Sequence, residues 1–194
     1  MYLRKILIGI LILGIIGGSY FIYNITQKIF KPITAFNNEE AYIYIPSGAD
    51  FKYVKNELAP LLTDVDAFST LAKKLGYKSR IKGGKYIIRK GMNSNDIVKT
   101  LLDPSQMITI ELPASRELKL IREIAKDISA QIEASENEIY EVMVDTIYPK
   151  EKGYKLIELQ DIYDENTYRI PWNTSAEEFR TIVFDRYQKK KLNQ

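Results

Sequence analysis

The chain has 194 residues and contains neither cysteine nor histidine. Without cysteine there is no disulfide, no thiolate metal ligand, no thiol nucleophile and no cysteine for lipid attachment at an N-terminus. Without histidine the commonest general base and any Ser-His-Asp triad are gone. Hydrolytic or lytic chemistry would have to rest on carboxylates. Excess charge is also missing: 28 basic and 25 acidic residues leave a net +3. No basic stripe runs along the chain, so nucleic acid is not an expected partner. The short cationic run Lys189-Lys190-Lys191 reads as the solvated end of a helix, where cations suit the dipole.

One stretch lacks charge altogether. ILIGILILGIIGGSYFIYNITQ, Ile6 to Gln27, follows Arg4 and Lys5. At about 1.5 Å per residue it can cross a bilayer core of about 30 Å. Arg4 and Lys5 favour an inside N-terminus, although Lys28 and Lys31 weaken the asymmetry. Tyr20, Phe21 and Tyr23 fall where an interfacial aromatic belt would sit. A cleavable signal peptide wants a shorter apolar region and a small-x-small cleavage site. The expectation is an uncleaved signal anchor, residues 1–29, in the cytoplasmic membrane, with the bulk of the chain on the outer or periplasmic side. Residues 30–40, with Pro32 and Asn37-Asn38-Glu39-Glu40, read as a juxtamembrane linker.

The remainder alternates strand and helix signals. AYIYIP reads as a strand, Ser47-Gly48 as a turn, and Phe51, Val54 and Leu58 as one face of a helix that Pro60 ends. A second helix starts at Thr63 or Asp64, carries Phe68, Leu71, Ala72 and Leu75, and stops at Gly76. Gly83-Gly84 predicts a turn with positive φ before the strand KYIIRK. Asn93 or Ser94 caps the helix of Ile97, Val98, Leu101 and Leu102, and Asp103-Pro104 closes it. MITIELP then reads as a strand, and Leu118, Ile121, Ala125 and Ile128 as one face of an amphipathic helix. A polar helix from about Ser135 to Ile147 follows, with Ile139, Val142 and Met143 able to pack. Near the end, TYRIPWNTSAEEF gives strand, turn and helix, with a capping box from Ser175 to Glu178. Asn173-Thr174-Ser175 fits an N-glycosylation sequon but reads here as capping sequence. The fold class is α+β: a transmembrane helix, then small lobes of strand–turn–helix units at about 41–104 and 106–194.

Three segments, in this order, resemble the endolytic murein transglycosylase family, also called MltG or YceG-like. They are IYIPSGADFKYVKNEL, IKGGKYIIRKGMNSNDIVKTLL and NTYRIPWNTSAEEF. Together with the anchor the resemblance covers nearly the whole chain. It implies a LysM-like first lobe, followed by the start of a catalytic lobe outside the cytoplasmic membrane. It implies cleavage of peptidoglycan glycan strands to 1,6-anhydro ends, with no metal and no organic cofactor. Expected partners are peptidoglycan glycan, the membrane and cell-wall synthesis proteins.

Two stretches depart from the family pattern. Pro113-Ala114-Ser115-Arg116 replaces an Glu-Gly turn, and Asp161-Ile162-Tyr163-Asp164-Glu165 replaces an apolar segment ending in Pro. The family's catalytic glutamate belongs to a later segment, and no similar string occurs among the 194 residues. No catalytic residue is therefore assigned. The expectation is a truncated or inactive member, the alternative a non-catalytic peptidoglycan-binding or scaffold module. Glu158, Asp161, Asp164 and Glu165 form an acidic loop that reads as solvated, although one glutamate of raised pKa in a shielded cleft can serve as both acid and base.

For glycan binding the resemblance points to the two turns of the first lobe, at Pro46, Ser47, Gly48 and Gly91. Near the C-terminal segment it points to Tyr163, Tyr168, Trp172 and Asn173. Trp172, the only tryptophan, has two readings: a platform for a sugar face, or a ring packed under the turn. Tyr163 and Tyr168 share both.

Overall fold

The computed structural model describes residues 2–103, 106–112, 118–155, 162–163 and 166–192. The chain is α+β, with a long apolar helix at the N-terminus and, among the described residues, two small two-stranded sheets. Helix α1, Tyr2–Phe30, keeps Leu13, Ile16 and Phe21 at least 59% exposed. Its Arg4–Gln27 stretch is long and apolar enough to cross a membrane.

The rest divides into two compact units. The first takes α1, most of the chain to Pro104 and part of each strand of one sheet. Those strands are β1, Glu40–Ile45, and β2, Gly84–Arg89. The second unit takes Tyr44–Gly48, Lys82–Tyr86 and everything from Ser105. The ends of β1 and β2, which precede residue 104 in sequence, thus cluster with the later part of the chain.

In the first unit, helices α2 (Phe51–Leu58), α3 (Val65–Lys74) and α4 (Ser94–Leu102) start where capping chemistry allows. Asp50 accepts from the Tyr53 N–H at 2.7 Å, and Asp64 from the Ala67 N–H at 2.8 Å. Asn93, not Ser94, caps α4, in a capping box with Asp96. Phe51 packs between Phe68 and Tyr77, with ring centroids 6.2 and 6.3 Å apart.

The stretch expected as a linker is ordered at its start. The Ile33 N–H donates to the Met92 carbonyl at 3.0 Å, and the Thr63 N–H to the Ile33 carbonyl at 2.7 Å. Buried Ile33 draws it in, an apolar residue that the polar composition of residues 30–40 masks.

In the second unit, β3 (Met107–Leu112) pairs antiparallel with β4 (Asn166–Pro171), Ile110 opposite Tyr168. A two-stranded sheet is marginal by itself. Among the described residues of the unit, helices α5 (Leu118–Ser129), α6 (Glu136–Val144), α7 (Ile147–Glu151) and α8 (Ala176–Leu192) accompany it. Ile110, Ile124, Ile128, Ile139, Tyr168, Phe179 and Val183 belong to one core. The amphipathic reading of α5 holds at Ala125 and Ile128, which are buried, while Ile121 is half-buried. The Leu118 side chain lies outside the described set. Arg180 binds Asp145 at 2.7 Å, and its guanidinium stands 3.9 Å from the Tyr148 ring centre. That cluster ties α8 to the α6–α7 junction.

Tyr163 and Tyr168, expected as glycan contacts, are core residues, 4% and 2% exposed. Neither ring has a face to offer a sugar. The strand alternation that buries Ile110 and Ile170 turns Tyr168 to the same side. The Tyr163 hydroxyl donates to the Val142 carbonyl at 3.2 Å. Burial pushes the Tyr163 pKa up, with Arg180 opposing the shift. An unfolded tyrosine ionises near pH ~10. The folded state thus holds its proton where the unfolded chain releases it. This contribution is complete below about pH 10 and is lost as pH rises beyond it. The urea midpoint is expected to fall between about pH 9 and 11, less so for Tyr163→Phe. An unchanged slope in that variant would contradict the assignment.

Candidate functional site

Strand β1 buries Ile43 and Ile45 and turns Tyr44 outward, 40% exposed. The chain then enters the Pro46-Ser47-Gly48 turn. Here the Ser47 N–H donates to Oε1 of Glu133 at 2.8 Å, and the Ser47 hydroxyl to Oε2 at 2.7 Å. The Glu133 N–H donates to the Trp172 carbonyl at 2.8 Å. Glu133 thereby joins two turns that are distant in sequence. One carboxylate accepting two donors is a charge-assisted clamp, stronger than two neutral bonds.

Trp172 sits just past β4, its ring centroid 5.1 Å from that of Tyr44 and inclined by 55°. The Lys85 ammonium stands 5.8 Å from the Tyr44 centroid. The Lys85 carbonyl accepts from the Gln106 N–H at 2.8 Å, which fixes the backbone below that side chain. Beside this aromatic pair is a shallow cleft of about 310 Å³, lined by Ser47, Glu133, Glu138, Asn173, Ser175 and Glu177. The Ser135–Glu138 capping box adjoins it, and hydrogen bonds from Ser135 hold the Glu138 carboxyl below the usual carboxylate range.

Gly83 permits this assembly. A Cβ there would stand 3.1 Å from the Ser47 nitrogen and 3.2 Å from Asn173 Nδ2 and the Ile45 carbonyl oxygen. Close approach is what position 83 requires, whereas the positive φ foreseen for the turn belongs to Gly84, at 145°. Gly83→Ala is expected to push Ser47 off Glu133, at the 1–3 kcal/mol typical of roughly one methyl too many in a packed site. Faster hydrogen exchange at the Ser47 amide would report it; wild-type exchange would mean that the turn yields without cost.

The structure thus brings Ser47, Trp172 and Asn173 together, with Pro46 half-buried and Gly48 exposed in the same turn. Gly91 belongs to the first unit, exposed, its N–H donating to Thr34 Oγ1 at 2.8 Å. Glu158, Asp161, Asp164 and Glu165 lie outside the described residues. Trp172 is half-buried and packs against Tyr44. Sequence reasoning missed Glu133, Tyr44, Gly83 and Lys85. Only Tyr44 carried a signal, as the outward residue of an alternating strand.

The chain is thus a two-unit α+β protein with a helix fit to span a membrane and an exposed aromatic and polar site. The sequence profile of the YceG-like family matches residues 43–194, and the chain belongs to that family. No curated protein sequence matches significantly. Among solved structures, it is similar to the crystal structure of a YceG-like protein from Listeria monocytogenes, at 19% identity and a TM-score of 0.35. That alignment covers 79% of this chain, and the chain spans 56% of the length of the other.

Proposed function

We propose that these residues form a membrane-anchored, peptidoglycan-binding part of a protein of the endolytic murein transglycosylase type. Membership of the YceG-like family over residues 43–194 is the observation that carries this reading. The apolar helix α1 supplies the anchor, and Arg4 and Lys5 favour an inside N-terminus, with both units facing the cell wall. The first unit corresponds to a LysM-like lobe, with the exposed Gly91 turn at its surface. In the second unit the Tyr44–Trp172 pair offers apolar ring faces to a pyranose, and Ser47 and Asn173 offer polar groups beside them. No segment resembling the family's catalytic one lies among residues 1–194, so binding is the role assigned to them. Docking of cell-wall synthesis proteins belongs to the same proposal as a second role.

The test uses the full chain in lipid nanodiscs mixed with insoluble peptidoglycan. Retention without release of 1,6-anhydro muropeptides is the expected result. Release of such products would show that these residues are catalytic, and no retention above that on cellulose would end the binding proposal.

A further inference from the structure

We propose that the groove where α1 meets α3 and α4 is a binding site for the headgroup of an amine-bearing phospholipid. This rests on the anchoring part of the reading above, with α1 in the bilayer. The groove belongs to the first unit and encloses about 380 Å³. Ile25 of α1 lines it, two residues before Gln27 closes the apolar stretch. A bilayer core of about 30 Å takes up roughly 20 helical residues, so Ile25 stands where hydrocarbon gives way to headgroups. Backbone contacts hold the chain leaving α1 beside the starts of the other two helices. Pro32 pairs with Asn93, directly before α4. The Ile33 carbonyl accepts from the Thr63 N–H at 2.7 Å, one residue before the Asp64 cap of α3.

The groove offers three kinds of contact. Ala67 and Leu71 of α3, together with Ile25, give it an apolar wall. Ser94 also lines it, 1% exposed, and the Ser94 hydroxyl has no hydrogen-bond partner among the described residues. Leaving a buried hydroxyl unpaired is costly, and a phosphate or ester oxygen in the groove satisfies it. Charges of both signs line the groove: Asp64 and Asp66 at the start of α3, and Lys74 in its last turn, about 12–15 Å further along the axis. Asp64 accepts from the Ala67 N–H, and Asp66 meets Lys55 at 3.5 Å on an exposed surface, a weak pair. A carboxylate has about four acceptor sites, so both can take a further donor without giving these up. A headgroup with a phosphate and a primary ammonium, as in phosphatidylethanolamine, complements both signs. A choline headgroup has no N–H to donate. A glycerol headgroup brings an anion toward two carboxylates with no cation of its own.

Native mass spectrometry of the full chain in detergent micelles tests this. The probes are phosphatidylethanolamine, phosphatidylcholine and phosphatidylglycerol with matched acyl chains. Phosphatidylethanolamine is expected to bind roughly tenfold tighter than the other two, the scale of one charge-assisted hydrogen bond. Thr70→Trp, at an exposed position that lines the groove, fills it and should abolish the preference. Ser94→Ala should weaken phosphatidylethanolamine binding several-fold without lowering the Tm of the lipid-free protein, because it removes an unpaired hydroxyl. A purely structural serine would give the reverse: a lower Tm and unchanged lipid affinity. Equal binding of the three lipids, or wild-type phosphatidylethanolamine affinity in either variant, overturns this inference alone. Soluble phosphoethanolamine binding as tightly as the lipid also overturns it, since the ligand would then be a free phosphate ester. A chain that stays in solution and does not incorporate into liposomes overturns the anchoring reading as well.

Discussion

Phe179→Ala lowers the stability of the second unit by about 3–5 kcal/mol, the range for removing a fully buried phenylalanine. Phe179 is 0% exposed and meets Tyr168 edge-on at 6.3 Å between ring centres. It therefore ties α8 to the inner face of the β3–β4 sheet. Such a loss is a large fraction of the stability of a small domain, about 5–15 kcal/mol. Urea unfolding followed by Trp172 fluorescence measures it, because that reporter lies in the same unit. Ile182→Ala, at a half-buried position one turn on, should cost clearly less. Equal losses at the two positions would mean that the core does not sit where α8 meets the sheet.

Trp172→Ala is expected to weaken binding of peptidoglycan strands by roughly 30-fold, or about 2 kcal/mol, the size of loss seen when a central aromatic anchor is truncated. The substitution removes one ring of the pair. Trp172→Phe keeps an aromatic face and should recover much of the affinity. Tyr163→Phe is the control: a ring 4% exposed contributes packing and one hydrogen bond, so glycan affinity should not move. Binding assays with insoluble peptidoglycan separate the two positions. Wild-type binding by Trp172→Ala would remove the aromatic pair from the account.

Much of this fold is legible in the sequence because it is written in local chemistry. Asp50, Asp64, Asn93 and Ser175 each stand one step before a helix and accept from its free N–H groups, or do so within a capping box. The strand periods of AYIYIP and MITIEL bury alternate residues as expected. The charge-free run from Ile6 gives α1. What the sequence hides is non-local. Glu133 sits in a featureless link between α5 and α6, and only the fold brings Ser47 to its carboxylate. Gly83 looks like an ordinary turn glycine until the Asn173 amide is placed 3.2 Å from its missing Cβ. The two tyrosines expected at the glycan fail for a similar reason. Aromatic identity says that a ring can stack on a sugar; burial of Tyr163 and Tyr168 decides that these do not. Lys85 reads as one more strand lysine, and its relation to Tyr44 depends on how β2 runs beside β1.

Hydrogen–deuterium exchange of the full chain in nanodiscs, with and without soluble peptidoglycan strands, tests the central claim most directly, because it asks at once whether glycan binds and where. The account predicts slower exchange in the peptides containing Tyr44–Gly48 and Trp172–Ser175, with little change in those confined to α7. Protection elsewhere with these two turns unchanged, or no protection at saturating glycan, would contradict it.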